Sequence, residues 1–289
     1  MRPIILLLLA TACAHAAVST GQSENIRHLL RDPNLTAAEA AAKALVAASP
    51  AEAEAYALLG EVQVAKGDAD AAVREWEKAA ELAPASSDYQ QQLGDTCGFA
   101  AQKAGMLGMI GLAKKCRRAY EKAVALDPKN VSARQSLLDY YQMAPGLMGG
   151  GMDKAYEQAA AISGLDAARG RRAYAMLHAA DRKYDAAFAE LDEVVKAAPD
   201  DYAALYQIGK LAALSGQFLD RGLASLRHCL ELRVPDAADT PSHAAAHWRI
   251  GNILEKKIDP AGARAAYQAA LKLDATLTQA ADALKHLRP

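Results

Sequence analysis

Between Ala53 and Pro84 the chain reads AEAYALLGEVQVAKGDADAAVREWEKAAELAP, and few folds accept such a string. Two helix-forming runs flank Gly67-Asp68, a turn signal, and Pro84 closes the second run because it cannot continue a hydrogen-bond ladder. Gly60 in the first run and Ala72 in the second let two backbones approach closely, while Leu59 and Trp76 fill the space beside them. The expected unit is a helical hairpin. Pro50 precedes Pro84 by 34 residues, so the unit recurs. A hairpin of this size cannot bury its apolar face alone and has to stack on its neighbours.

The positions Tyr56, Leu59, Gly60 and Gln63 in the first helix, with Ala72, Trp76, Ala79 and Pro84 in the second, resemble the tetratricopeptide repeat, a helix-turn-helix unit of about 34 residues. On that resemblance, 17–52 is a degenerate N-terminal repeat and 53–275 the main array. The third unit carries Leu93-Gly94 and then Cys116, Tyr120, Ala123 and Pro128. The fourth carries Leu137, Leu138 and Tyr141 followed by Ala155, Ala159 and Ile162. The fifth runs from Ala168 to Pro199, the sixth contains Gly209 and closes at Pro235, and the seventh contains Gly251 and Tyr267. Residues 276–289, with Leu277, Ala281, Leu284 and Leu287 at helical spacing, read as a C-terminal capping helix. Two enlarged turns, at 98–115 and 143–153, interrupt the period. The fold class implied is all-α: a right-handed α-solenoid of about seven helix-turn-helix repeats plus the cap, with a concave groove lined by the first helix of each pair.

Composition agrees with close-packed helices, since 52% of residues are hydrophobic and only 6% aromatic. A formal net charge of −1 leaves no global basic field, which argues against a nucleic-acid partner. The first residues combine Arg2, an apolar run from Ile4 to Ala10 and the cleavage point Ala14-His15-Ala16, so 1–16 reads as a secretory signal peptide. Export to the periplasm or beyond the cell follows. The alternative is an outer-membrane lipoprotein, because Ala10-Thr11-Ala12-Cys13 resembles a bacterial lipobox that would place a lipid anchor on Cys13. No later segment is long and apolar enough to span a bilayer. Of the remaining cysteines, Cys97 and Cys116 fall at facing positions of one hairpin, where a disulfide and two small core residues are both open readings. Cys229 reads as core.

Catalytic spacings are missing: there is no Gly-x-Ser-x-Gly elbow, no His-Glu-x-x-His, no phosphate-cradling loop and no Cys-x-x-Cys. No enzyme activity, cofactor or metal site is expected. His243 and His247 would share a helix face, but no third ligand accompanies them. The two turns hold Met106, Met109, Met148 and Met152 among glycines. Such a patch could mould itself to an apolar partner or carry a small molecule or Cu(I), or it could simply cover helix ends.

The positions that line the groove in the family are Glu54, Glu61, Asp88, Gln91, Asp95, Gln135 and Asp139 in the early repeats. Later ones present Arg169, Arg172, Tyr206, Gln207, Lys210, Trp248, Arg249 and Asn252. Arg172 and Arg249 match a carboxylate clamp in part, whereas Met176 and Ala245 depart from it. The function implied is an exported scaffold that binds a partner peptide or helix on the second set; a structural envelope lipoprotein and a carrier are the alternatives.

Overall fold

The computed structural model describes residues 17–236 and 240–287. The signal-peptide and lipid-anchor readings at 1–16 lie outside these residues. Among the described residues there are 15 α-helices, one 3-10 turn and no strand, and the chain divides into two compact units, 1–150 and 151–289.

The first unit holds α1 (Thr20–Leu29), α2 (Thr36–Ala48), α3 (Ala53–Lys66), α4 (Ala69–Leu82), α5 (Ser87–Lys103), α6 (Met106–Leu126) and α7 (Val131–Met143), followed by the 3-10 turn Gly146–Met148. The second holds α8 (Met152–Leu165), α9 (Ala167–Ala180), α10 (Tyr184–Ala197), α11 (Tyr202–Ser215), α12 (Leu219–Glu231), α13 (His243–Lys256), α14 (Pro260–Leu273) and α15 (Thr278–His286). Within each unit consecutive helices pack as hairpins and successive hairpins stack.

One contact recurs in both units. A Cβ on Gly60 would lie 2.7 Å from Trp76, on Gly94 2.4 Å from Tyr120, on Gly209 2.2 Å from Leu226 and on Gly251 2.3 Å from Tyr267. Each first helix thus presses its bare backbone against one large side chain of the second helix, and any residue but glycine would hold the pair apart. The starts of the helices are tied by side chains. Asp68, Asp166, Asp201 and Asp259 each accept from the backbone N–H three residues on, as do Ser86, Asn130 and Ser242. These bonds satisfy donors that have no partner inside the helix. α15 covers α14 with buried Ala280 and partly buried Leu277 and Leu284, where the sequence placed a capping helix.

The stretch 98–115, expected as an enlarged turn, is helical except around Ala104-Gly105, which corrects that reading. α5 has 17 residues and α6 has 21, against 14 in each of α3 and α4, so the ten additional residues lengthen both arms of one hairpin. Growth at the free end leaves the Gly94–Tyr120 contact undisturbed, although its partners stand 26 positions apart instead of 16. Glycines at 98, 105, 108 and 111 suggested a loop. Met109, Ile110, Leu112 and Ala113, all half-buried, instead extend the packed face of α6. The stretch after α7 is an irregular segment containing the 3-10 turn, with Gly149 at φ 85°.

Candidate functional site

The eight residues expected to meet a partner all lie in the second unit, on three first helices. Arg169 and Arg172 are on α9, Tyr206, Gln207 and Lys210 on α11, and Trp248, Arg249 and Asn252 on α13. α11 contacts both α9 and α13, so these helices form one continuous face. Their side chains are not equally available.

Arg172 was expected to grip a partner's carboxylate, but its Nη1 donates to Asp201 Oδ2 at 2.7 Å, with both side chains more than four-fifths buried. Asp201 also caps α11 by accepting from the N–H of Ala204 at 2.9 Å, which fixes the carboxylate beneath the guanidinium. The clamp role of Arg172 is therefore corrected to a tie between hairpins. Tyr206, expected as a flat platform, is only 8% exposed and belongs to the core of this unit. Asn252 donates to the Tyr267 hydroxyl at 2.9 Å, and that hydroxyl donates to Glu255 at 2.9 Å. Arg169 is exposed and pairs with Asp166 at 3.5 Å, and Lys210 is exposed.

Trp248 and Arg249 make the most distinctive arrangement. The Arg249 guanidinium lies 3.9 Å from the centre of the Trp248 ring, whose other contacts are with the Tyr267 cluster. Arg249 Nε is buried with no hydrogen-bond partner, and so is Oε1 of Gln207 on the adjacent α11. Buried polar atoms are nearly always paired, and Gln63 Oε1 and Arg117 Nε in the first unit share this state, but only Arg249 and Gln207 stand on neighbouring first helices of the expected partner face. Half-buried His247, two residues before Arg249 on α13, has its pKa lowered by burial and by His243. His243 meets the carbonyl of Leu232 at 3.0 Å, and among the described residues no cluster of three or more potential ligands could hold a metal ion.

In the first unit the acidic positions are engaged by the chain itself. Arg27 of α1 reaches Glu54 at 3.1 Å and Glu61 at 3.0 Å, and Glu54 also accepts from the hydroxyls of Ser23 and Tyr89. Tyr120 donates to Asp95 at 2.6 Å, Asn130 to Asp88 at 3.1 Å and Gln135 to Asp139 at 2.9 Å. Gln91 donates to the Ser136 hydroxyl at 3.5 Å.

Cys97 and Cys116 are buried free thiols, so of the two open readings the structure has the small core residues and not the disulfide. Each fills a small apolar site in the α5–α6 hairpin, and burial pushes both thiols up to about 12. Of the methionine patch, Met106 is exposed at the start of α6 and Met109 half-buried beside it. Met148 sits in the 3-10 turn, where its carbonyl accepts from Tyr140 at 2.9 Å, and Met152 opens α8 in the second unit.

The tetratricopeptide-repeat family model matches residues 24–88 and 206–278. These two stretches carry tetratricopeptide repeats. Solved structures agree on the fold. A tetratricopeptide repeat protein from Parabacteroides merdae is 17% identical with TM-score 0.64, over 92% of this chain and 96% of that one. The human IFIT1 dimer with m7Gppp-AAAA is 15% identical with TM-score 0.61, over 92% and 61%. The APC/C hetero-tetramer Cut9-Hcn1 is 14% identical with TM-score 0.57, over 94% and 49%. No curated protein matches the chain. Repeats of this kind generally serve as scaffolds for protein or peptide partners.

Within the repeats, sequence spacing placed these residues on neighbouring first helices but did not reveal which were already occupied by partners within the chain. The Arg172–Asp201 and Arg27–Glu54 pairs span 29 and 27 residues, and an N-cap position was the only signal singling out Asp201.

Proposed function

We propose that this protein is an exported interaction module that docks an extended segment of a partner protein on the face formed by α9, α11 and α13. The observation that carries the reading is that Arg249 Nε and Gln207 Oε1, on the contacting helices α13 and α11, are both buried without a hydrogen-bond partner. A peptide backbone offers a carbonyl to the first and an N–H to the second, and neither bond depends on the partner's sequence. The Trp248 ring, with Arg249 stacked on it, gives an apolar surface for a neighbouring side chain. Arg169 and Lys210 add positive charge to the same face, favouring an acidic partner segment. Affinity would come from these few anchors and not from total area. No catalytic role is part of the proposal, and a net charge of −1 does not favour nucleic acid.

Capture of the partner from an envelope extract by the immobilised full chain tests this. Trp248→Ala and Arg249→Glu should each reduce recovery by roughly tenfold or more, while Arg227→Glu on the exposed side of α12 leaves it unchanged. Equal recovery with all three variants would overturn the docking face. Export is supported by Arg2, the apolar run 4–10 and Ala14-His15-Ala16. An intact mass beginning at Ala17 is the expected outcome; an acylated chain beginning at Cys13 would replace it with the lipoprotein.

A further inference from the structure

The lengthened α5–α6 hairpin has no task in the face described above. Its tip carries Met106 and Leu107, 77% and 87% exposed, and a Cβ on Gly105 or Gly111 would meet no other atom within 4 Å, so nothing in this unit covers it. Met143, 82% exposed, and Leu147, 90% exposed, stand at the end of α7 and in the 3-10 turn, and that turn contacts α6. These are four of the five large apolar side chains more than three-quarters exposed in the described residues.

Charge is distributed just as unevenly. From Thr96 to Tyr120 the chain has Lys103, Lys114, Lys115, Arg117 and Arg118 and not one carboxylate, in a protein whose net charge is −1. Lys115 pairs with Glu77, and Arg117 lies 3.9 Å from Glu121. Lys114, Arg118 and Lys122 enter no ion pair among the described residues. Leu107, Gly111, Lys114, Arg118 and Lys122 are all exposed and succeed one another at helical spacing, so one stripe of α6 runs from an apolar end to a cationic stem.

We propose that this hairpin tip is a membrane-surface anchor that seats Met106 and Leu107 in the interface of an anionic lipid bilayer. An interfacial apolar segment sinks about 5–10 Å into the headgroup and acyl boundary. Lys114 is seven residues beyond Leu107, roughly 10 Å along the helix, which brings it to the level of the phosphates when the tip is seated. Arg118 and Lys122 follow within the reach of the negative surface potential. The tip presents two flexible, exposed side chains, which can read depth and charge but not the shape of a protein side chain. The stem supplies the complementary sign for acidic headgroups. This inference concerns the first unit and does not depend on the peptide-docking reading.

Flotation of the full chain with phosphatidylcholine vesicles, with and without phosphatidylglycerol, tests the anchor. Wild type should float with the anionic vesicles and lose that binding in high salt. Met106→Glu with Leu107→Glu should lower the bound fraction about tenfold or more, and Lys114→Gln with Arg118→Gln about thirtyfold. Both pairs are solvent-facing, and an unchanged far-UV circular dichroism spectrum confirms folding; the second pair stands as an independent test if the first disturbs it. Three results would overturn the proposal: no flotation of wild type, flotation unaffected by either pair, as binding through residues 4–10 would give, or a concentration-dependent dimer abolished by the Met106 and Leu107 substitutions.

Discussion

Gly251 and Tyr267 show what a single position contributes to a repeat. Tyr267 is fully buried and held by Asn252 and Glu255, so it cannot yield to an added methyl group. Gly251→Ala should destabilise the second unit by about 1–3 kcal/mol, read as a lower urea midpoint. Ile258 offers the converse case. It holds φ 59° immediately before the N-cap Asp259, as Gly67, at φ 76°, does before Asp68, and a β-branched residue is strained there. Ile258→Gly should therefore stabilise by about 1 kcal/mol. His247 links stability to pH. Its folded pKa is depressed below the ordinary 6.5, so the unfolded chain takes up the proton first as pH falls. Stability is full above about pH 6.5 and declines below it, and His247→Leu should flatten the drop in urea midpoint between about pH 7.5 and 5.5. The glycine positions were legible because Gly60 and Gly251 each stand 16 residues before a large aromatic partner, and Gly209 stands 17 before Leu226. The fate of Arg172 was not, because Asp201 was readable as a cap but not as an ion-pair acceptor.

At the scale of elements, the hairpin of α5 and α6 is the instructive case. Its glycines pointed to a loop, since each weakens a helix by about 1 kcal/mol relative to alanine. Packing of Met109, Ile110 and Leu112 along the hairpin overrides that local preference, and propensity alone could not weigh the two. If the contact between Gly94 and Tyr120 sets the register, the extension is dispensable for folding. Replacing 101–112 by Gly-Asp, the turn that joins α3 to α4, should leave the fold intact within about 1 kcal/mol by denaturant titration. The same replacement should abolish vesicle binding, and loss of helicity throughout the first unit would contradict the assignment of register.

For the molecule as a whole, repeats make stability a local property, because each hairpin answers mainly to its neighbours. Gly251→Ala should therefore weaken hydrogen-exchange protection in α13 to α15 far more than in α3 and α4. Outside the two enlarged stretches the repeat period was legible because proline, glycine and large side chains recur at similar intervals. The occupied or vacant state of the partner face was not, since it depends on pairs from different hairpins. The central claim is that Gln207 and Arg249 face a bound chain. Site-specific photocrosslinking from position 207 in living cells tests it most directly. The account predicts one discrete adduct from 207 that Arg249→Glu abolishes and that a probe at Arg227 does not form. No adduct at 207, or the same adducts from both positions, would contradict it.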